Sequence, residues 1–306
     1  MIDQIQFSPA PRRAGWVREN LRLFSPGQVG WSRLRAYLAP QLRSLDGLRI
    51  LHVSDLHLGQ FWFTAYDQLL QETASKRFDV IAITGDLIDK RWNPNARVLR
   101  HLAKFLDALT APLGVYVILG NHDGDLLAPY VTGSKATLLH PGIAQIPLQG
   151  ATMEIVGLPC VHRTDLKPRL LGKIGAKAAD TLRILLSHYP DHVLRTSALQ
   201  PDLVLAGHTH GGQVCMPSGR PIITHDRLPK KMACGVHRIE NGWLVVSRGV
   251  GFATYPIRLF APPEVSEIQF VCGTARAGAN QSTTKDDDVN QDHNRIERGH
   301  NRDFAE

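Results

Sequence analysis

Five short runs in this 306-residue chain carry side chains able to hold a cation or move a proton: Asp55-Leu56-His57, Gly85-Asp86-Leu87-Ile88-Asp89, Gly120-Asn121-His122-Asp123, His188, and Gly207-His208-Thr209-His210-Gly211-Gly212. Imidazole nitrogen and carboxylate oxygen suit Zn, Mn, Fe and related divalent ions, and no thiolate belongs to the set. One carboxylate can bridge two such ions about 3.5–4 Å apart, the spacing at which paired cations promote displacement at phosphorus. Each run alone has a plainer reading. Asp-x-His is a common surface turn, Gly-Asp a common loop and Gly-Asn-His-Asp an Asx-turn, while a single buried His is usually a hydrogen-bonded structural residue. The combination points to a metal site because nearly every run follows directly on an apolar, β-branched segment.

Those segments are the elements that must position the site. LRILHVS at 48–54 leads into Asp55, VIAIT at 80–84 into Asp86, GVYVIL at 114–119 into Asn121, RILLS at 183–187 into His188, and LVLA at 203–206 into His208. Helical patterns at 63–76 and 95–109 separate the early strands, which predicts βαβ crossovers. Further strands are expected at 244–247 and 265–271. Ligand sites in open α/β sheets form beyond the carboxyl ends of strands, so residues spread from 55 to 210 are expected to converge on one edge. Glycines beside Asp86, Asn121 and His208 permit the tight turns this needs. Fewer helical stretches and more turn residues in the second half suggest a second sheet packed on the first. The predicted fold class is α/β, a two-sheet sandwich flanked by helices.

Composition narrows the setting. No stretch approaches the roughly 18–20 apolar residues that span a bilayer, and the first residues lack the apolar core of a secretory signal, so a cytoplasmic location is expected. Cys160, Cys215, Cys234 and Cys272 form no CxxC pair, which argues against a disulfide framework or a thiolate zinc site. The net charge of +7 is too diffuse to indicate nucleic acid but suits an anionic substrate or a membrane surface. Three regions are expected: a basic N-terminal segment (1–46), the catalytic domain (47–272) and a disordered polar tail (273–306). The first has seven Arg against three acidic residues, interleaved with Trp16, Leu21, Leu23, Phe24, Trp31, Leu34, Tyr37 and Leu38. It reads as a helix packed on the domain, with peripheral contact to the inner membrane as the alternative. The tail is nearly free of apolar residues and cannot offset the entropy of ordering. Gly249–Gly251 lacks the third glycine and following helix of a dinucleotide fingerprint.

Together the five motifs resemble those of the calcineurin-like metallophosphoesterases, over residues 48–271. The resemblance implies a four-layer α/β/β/α sandwich of the metallophosphoesterase type. It also implies two divalent metal ions (Mn, Zn or Fe): Asp55, His57 and His210 on the first, Asn121, His188 and His208 on the second, and Asp86 bridging them. His122 would act on the leaving group, with Asp89 orienting it. The expected reaction is hydrolysis of a phosphodiester or pyrophosphate bond in a small molecule by a metal-bridging hydroxide. GHTHGGQ at 207–213, SRGVG at 247–251, Pro256-Ile257-Arg258-Leu259 and Pro262-Pro263-Glu264 look closest to a bacterial membrane-associated branch. That branch includes chlamydial-type UDP-2,3-diacylglucosamine pyrophosphatases of lipid A biosynthesis. The N-terminal hydrophobic anchor of many members is not seen here, which puts tight anchoring in doubt. The amphiphilic substrate is further motivated by Phe61-Trp62-Phe63, beside the first motif, and Lys90, Arg91, His162, Arg163 and Arg248 are candidates for gripping the rest of it. A cyclic-nucleotide or general phosphodiesterase, and an inactive metal-binding scaffold, are the alternatives.

Overall fold

In the central strands alternate residues enter different apolar layers, and the fold follows from that sorting. The computed structural model describes residues 5–7, 21–23, 25–92, 94–167, 171–224 and 226–273. In chain order the first part comprises strands β1 (Ile5–Phe7), β2 (Leu21–Leu23), β3 (Gly30–Leu38) and β4 (Arg49–Val53), helix α1 (Thr64–Lys76), β5 (Val80–Thr84), α2 (Ala96–Asp107), β6 (Val115–Ile118), α3 (Ala128–Thr132) and β7 (Thr137–Leu138). The second part comprises β8 (Gly142–Leu148), β9 (Ala151–Gly157), β10 (Thr181–Ser187), β11 (Leu203–Ala206), β12 (Gly235–Ile239), β13 (Gly242–Val246), β14 (Ile257–Leu259) and β15 (Glu264–Cys272).

One sheet runs β1-β3-β15-β4-β5-β6-β7 and the other β12-β13-β11-β10-β9-β8, while β14 pairs with β2 alone. Strands β4 to β7 are mutually parallel, as are β9, β10, β11 and β13. Along β5, Ile81 and Ile83 face the α1/α2 layer, with Leu69, Phe105 and Leu106, whereas Val80 and Ala82 face the second sheet. Ile184 and Leu186 of β10 meet them in that middle layer, and Leu185 points outward to Leu158, Leu166 and Leu199. Burial on both faces is what a continuous β-branched run implies. Asn95 starts α2 by accepting hydrogen bonds from the Arg97 and Val98 amides at 3.0 and 3.1 Å.

The layers stack helix, sheet, sheet, and then an outer cover. Among the described residues that cover is made of 3-10 turns, such as Pro190–Leu194 and Ser197–Leu199, rather than long helices. The N-terminal region differs from the helical expectation. Residues 30–38 form β3, whose buried Leu34, Ala36 and Leu38 alternate with Arg33, Arg35 and Tyr37, and β15 pairs with it in parallel over nine residues. The intervening arginines obscure an apolar period of two. Trp31 stacks on Phe78 with ring centroids 6.0 Å apart. The hairpin of β8 and β9, which the sequence reading passed over, turns at Gln149-Gly150. Trp16, Phe24 and the tail from 274 onward lie outside the described residues. No helix among the described residues is long and apolar enough to cross a membrane.

Candidate metal centre

Strands β4, β5, β6, β10 and β11 all end at one edge, and the motif residues lie in the first turns beyond them. Asp55, His57, Asp86, His208 and His210 adopt left-handed backbone conformations, with φ between 47° and 69°. Such conformations are costly for residues with a side chain, and they concentrate where function requires a particular direction. The turns also interlock. A side chain at Gly120 would collide with the Asp86 carboxylate, and one at Gly249 with Asp55. The SRGVG run is therefore a packing surface under the first motif: Gly251 donates its amide to the Asp55 carbonyl at 2.7 Å.

Ligating atoms of Asp55, His57, Asp86 and His210 all lie within 4.8 Å of one another, in a fully buried group. His57 Nε2 is 3.0 Å from His210 Nε2, and His210 Nε2 is 3.4 Å from Asp55 Oδ1. Asn121 Oδ1 gathers the other cluster, 2.8 Å from His188 Nε2 and 3.1 Å from His208 Nδ1. Asp86 lies between them: Oδ2 is 3.4 Å from His57 Nε2, and Oδ1 is 3.4 Å from His188 Nε2. All seven residues expected as ligands are thus brought together. His122 borders the cluster, its ring centroid 4.7 Å from that of His57, and its amide donates to Asp86 Oδ1 at 2.9 Å.

Electrostatics make this donor set one that fits cations. Burial holds His57 and His210 well below the usual imidazole range, so both are neutral at pH 7 and have lone pairs to offer. Burial also pushes Asp55 up to about 7 and raises Asp86, because desolvation disfavours the charged carboxylate. Among the described residues, the buried His57 Nδ1 and His122 Nδ1 atoms have no hydrogen-bond partner. Buried carboxylate oxygens 3.4 Å from imidazole nitrogens, with two imidazole nitrogens 3.0 Å apart, are a divalent-cation donor set.

Asp89 and His122 lie within 4.8 Å of each other, in a second group with His57. The Asp89 carboxylate accepts hydrogen bonds from the Arg91 amide and guanidinium, and none of its described bonds is to His122. His122 is lowered to about 4 by burial first and Lys90 second, with the Asp89 charge opposing them. Arg91 is tied to Asp89 and the Thr254 carbonyl, and Arg248 to Glu264. Of the three aromatics after the first motif, Trp62 and Phe63 pack on Tyr66, and Phe61 is 65% exposed. Two residues of the quoted motifs, given no role from sequence, support the ligands. Asp123, the last residue of the third motif, accepts from the Leu87, Ile88 and Gly120 amides at 2.7, 3.1 and 2.7 Å and so ties two ligand turns together. Arg258 is fully buried and donates to the Gly251, Arg248 and Ala261 carbonyls, with Nη2 3.0 Å from His210 Nδ1. Asp123 was signalled by its motif; Arg258 had only its place in the Pro-Ile-Arg-Leu run.

Residues 48–212 match the family described as calcineurin-like phosphoesterases. The chain is 33% identical over 231 residues to YkuE of Bacillus subtilis, an uncharacterised metallophosphoesterase, covering 72% of this chain and 78% of that one. It is 30% identical over 234 residues to an uncharacterised metallophosphoesterase of Aquifex aeolicus, covering 71% and 83%. A third relative is the UDP-2,3-diacylglucosamine pyrophosphatase LpxG of Chlamydia muridarum, 27% identical over 312 residues, covering 82% and 91%.

Proposed function

The chain belongs to the calcineurin-like phosphoesterase family, a metal-dependent class of phosphate-ester hydrolases, and from that premise we propose that it cleaves a phosphodiester or pyrophosphate bond at two cations sharing Asp86. The observation that carries the reading is the division of the Asp86 carboxylate, one oxygen toward His57 and the other toward His188, each at 3.4 Å. Asp55, His57 and His210 would hold one cation, and Asn121, His188 and His208 the other. When bound, the two cations supply the charge that activates water as nucleophile and neutralises the phosphoryl oxygens.

The remaining work falls to the chain. Asp123 and the left-handed turns keep the ligands in place, so little reorganisation accompanies reaction. His122 protonates the leaving oxygen. Burial leaves that ring neutral at rest, at about 4, and an anionic phosphoryl group bound beside it restores its proton affinity. Asp89 acts on His122 through its charge, raising its affinity for a proton. The substrate we favour is a nucleotide-linked amphiphile such as UDP-2,3-diacylglucosamine, supported by the likeness to LpxG and by Phe61, an exposed aromatic shortly after His57 in the chain.

A panel assay of purified protein with added Mn²⁺ tests the substrate: bis-p-nitrophenyl phosphate, cyclic AMP and UDP-2,3-diacylglucosamine. Cleavage of the diacylglucosamine compound is expected. Cleavage of cyclic AMP alone discards that substrate in favour of a cyclic-nucleotide phosphodiesterase, and no cleavage at all, with metal bound, marks a scaffold.

A further inference from the structure

Beside the ligand cluster, on the His208 side, lies a cavity of about 290 Å³ whose walls include Arg163, Tyr189, Asp191, Asp226 and Arg227. Its volume falls near the lower end of the roughly 300–1,000 Å³ typical of small-molecule sites. His208 is common to cavity and cluster, since its Nδ1 is 3.1 Å from Asn121 Oδ1. Tyr189 connects the two as well, its ring centroid 4.5 Å from that of His208 and 5.3 Å from that of His188. A ligand in this cavity therefore adjoins any phosphoryl group held at the cluster.

The lining has two carboxylates and two guanidiniums, but their hydrogen-bonding capacity is unequally spent. Asp226 accepts from the Asp191 amide at 3.2 Å and from the Leu228 amide at 2.8 Å. Asp191 Oδ2 is 3.5 Å from Arg163 Nε, an ion-pair distance without a hydrogen bond, and that buried Nε has no hydrogen-bond partner among the described residues. Arg227 is exposed, and among the described residues it has no ion pair or hydrogen bond. Asp226 is committed to backbone amides and Asp191 faces Arg163 across an ion-pair distance, whereas the Arg163 Nε donor and the Arg227 guanidinium have hydrogen bonds still to give among the described residues. A purely structural Arg163–Asp191 pair accounts for Arg163 but gives no reason for Arg227 to line the same cavity without a partner.

We propose that this cavity receives a second anionic group of the substrate, so that the preferred substrate carries two linked phosphates, one at the ligand cluster and the other between Arg163 and Arg227. This rests on the phosphoesterase reading above and adds a specificity to it: anhydrides and diphosphates over simple monoesters and diesters. Guanidinium matches phosphate oxygens through paired, charge-assisted hydrogen bonds, each worth enough to shift affinity about tenfold.

The test uses full-length, Mn²⁺-loaded protein and two probes that differ only by one phosphate, UMP and UDP. Binding is measured by calorimetry and as competitive inhibition of bis-p-nitrophenyl phosphate hydrolysis. Wild type is expected to bind UDP about tenfold more tightly than UMP or better. In Arg227→Ala that preference falls about tenfold, and Arg163→Gln lowers it in the same direction. With UDP-glucose or UDP-2,3-diacylglucosamine as substrate, KM in Arg227→Ala rises about tenfold more than it does for bis-p-nitrophenyl phosphate, while kcat stays within about twofold. Arg227 is a surface residue, so a melting temperature equal to wild type shows that the change is local. Equal binding of UMP and UDP by wild type overturns the proposal, as does an equal loss of both ligands in Arg227→Ala. A protein that prefers UDP but hydrolyses no ester sinks the enzymatic reading and leaves the anion subsite standing. One that hydrolyses bis-p-nitrophenyl phosphate without preferring UDP does the reverse.

Discussion

Asp86 sends one carboxylate oxygen toward each ligand cluster, and His122 touches only the rim. These positions give the two residues separable phenotypes. Asp86→Ala is expected to lose bound metal and turnover together, checked by elemental analysis beside a bis-p-nitrophenyl phosphate assay. His122→Ala should retain its metal and lose about 10²–10⁴ in kcat with a poor leaving group, and much less with p-nitrophenolate. A His122→Ala protein stripped of metal would mean that this ring is a ligand and not an acid. Metal affinity should also depend on pH in a stated direction. With Asp55 raised to about 7, a cation must expel a proton from it at lower pH, whereas His57 and His210 are already neutral there. Affinity is therefore expected to fall as pH drops below about 7, up to roughly tenfold per unit for each proton displaced, with proton release visible in calorimetry across buffers of different ionisation enthalpy.

The ligands are held by turns between elements, and the turns are held by buried polar groups. Arg258 on β14 is the largest example: its guanidinium fastens the 248–251 loop beneath Asp55 and reaches His210. Replacing it with Met removes the donors and leaves carbonyls buried without partners, a loss on the order of 3 kcal/mol. Urea denaturation of Arg258→Met should show that loss, and metal affinity should weaken with it; unchanged affinity would show that the loop does not position His210. On β4, His52 is fully buried, with Nε2 2.9 Å from Thr84 Oγ1, and burial lowers it to about 3. Its folded value lies below the unfolded one of about 6.5, so the unfolded state takes up the extra proton between them. The stability it confers is complete above about pH 6.5 and is lost progressively as pH falls toward 3. The urea midpoint of wild type should fall over that interval more steeply than that of His52→Gln.

At the scale of the whole molecule, two sheets press together and present the ends of their parallel strands along one edge. β3 is an interior strand of the first sheet, paired with β1 on one side and β15 on the other. Deleting residues 1–38 would uncover β15 and remove Leu34, Ala36 and Leu38 from the middle layer. The expected result is aggregation or loss of cooperative unfolding by calorimetry, and a soluble truncated protein with native melting behaviour would show that β3 is dispensable. Features that depend only on neighbours along the chain were legible from the residues alone. Apolar runs ending in Asp55, Asp86, Asn121, His188 and His208 marked both the strands and their carboxyl ends, because a period of two and the residue that stops it are local properties. Lateral order is not local. That β15 inserts between β3 and β4, that Arg258 arrives beneath His210 from almost fifty residues away, and that Arg163 and Arg227 line one cavity were decided by tertiary packing, since side-chain alternation fixes which face a residue takes and leaves open which strand or loop it will meet there.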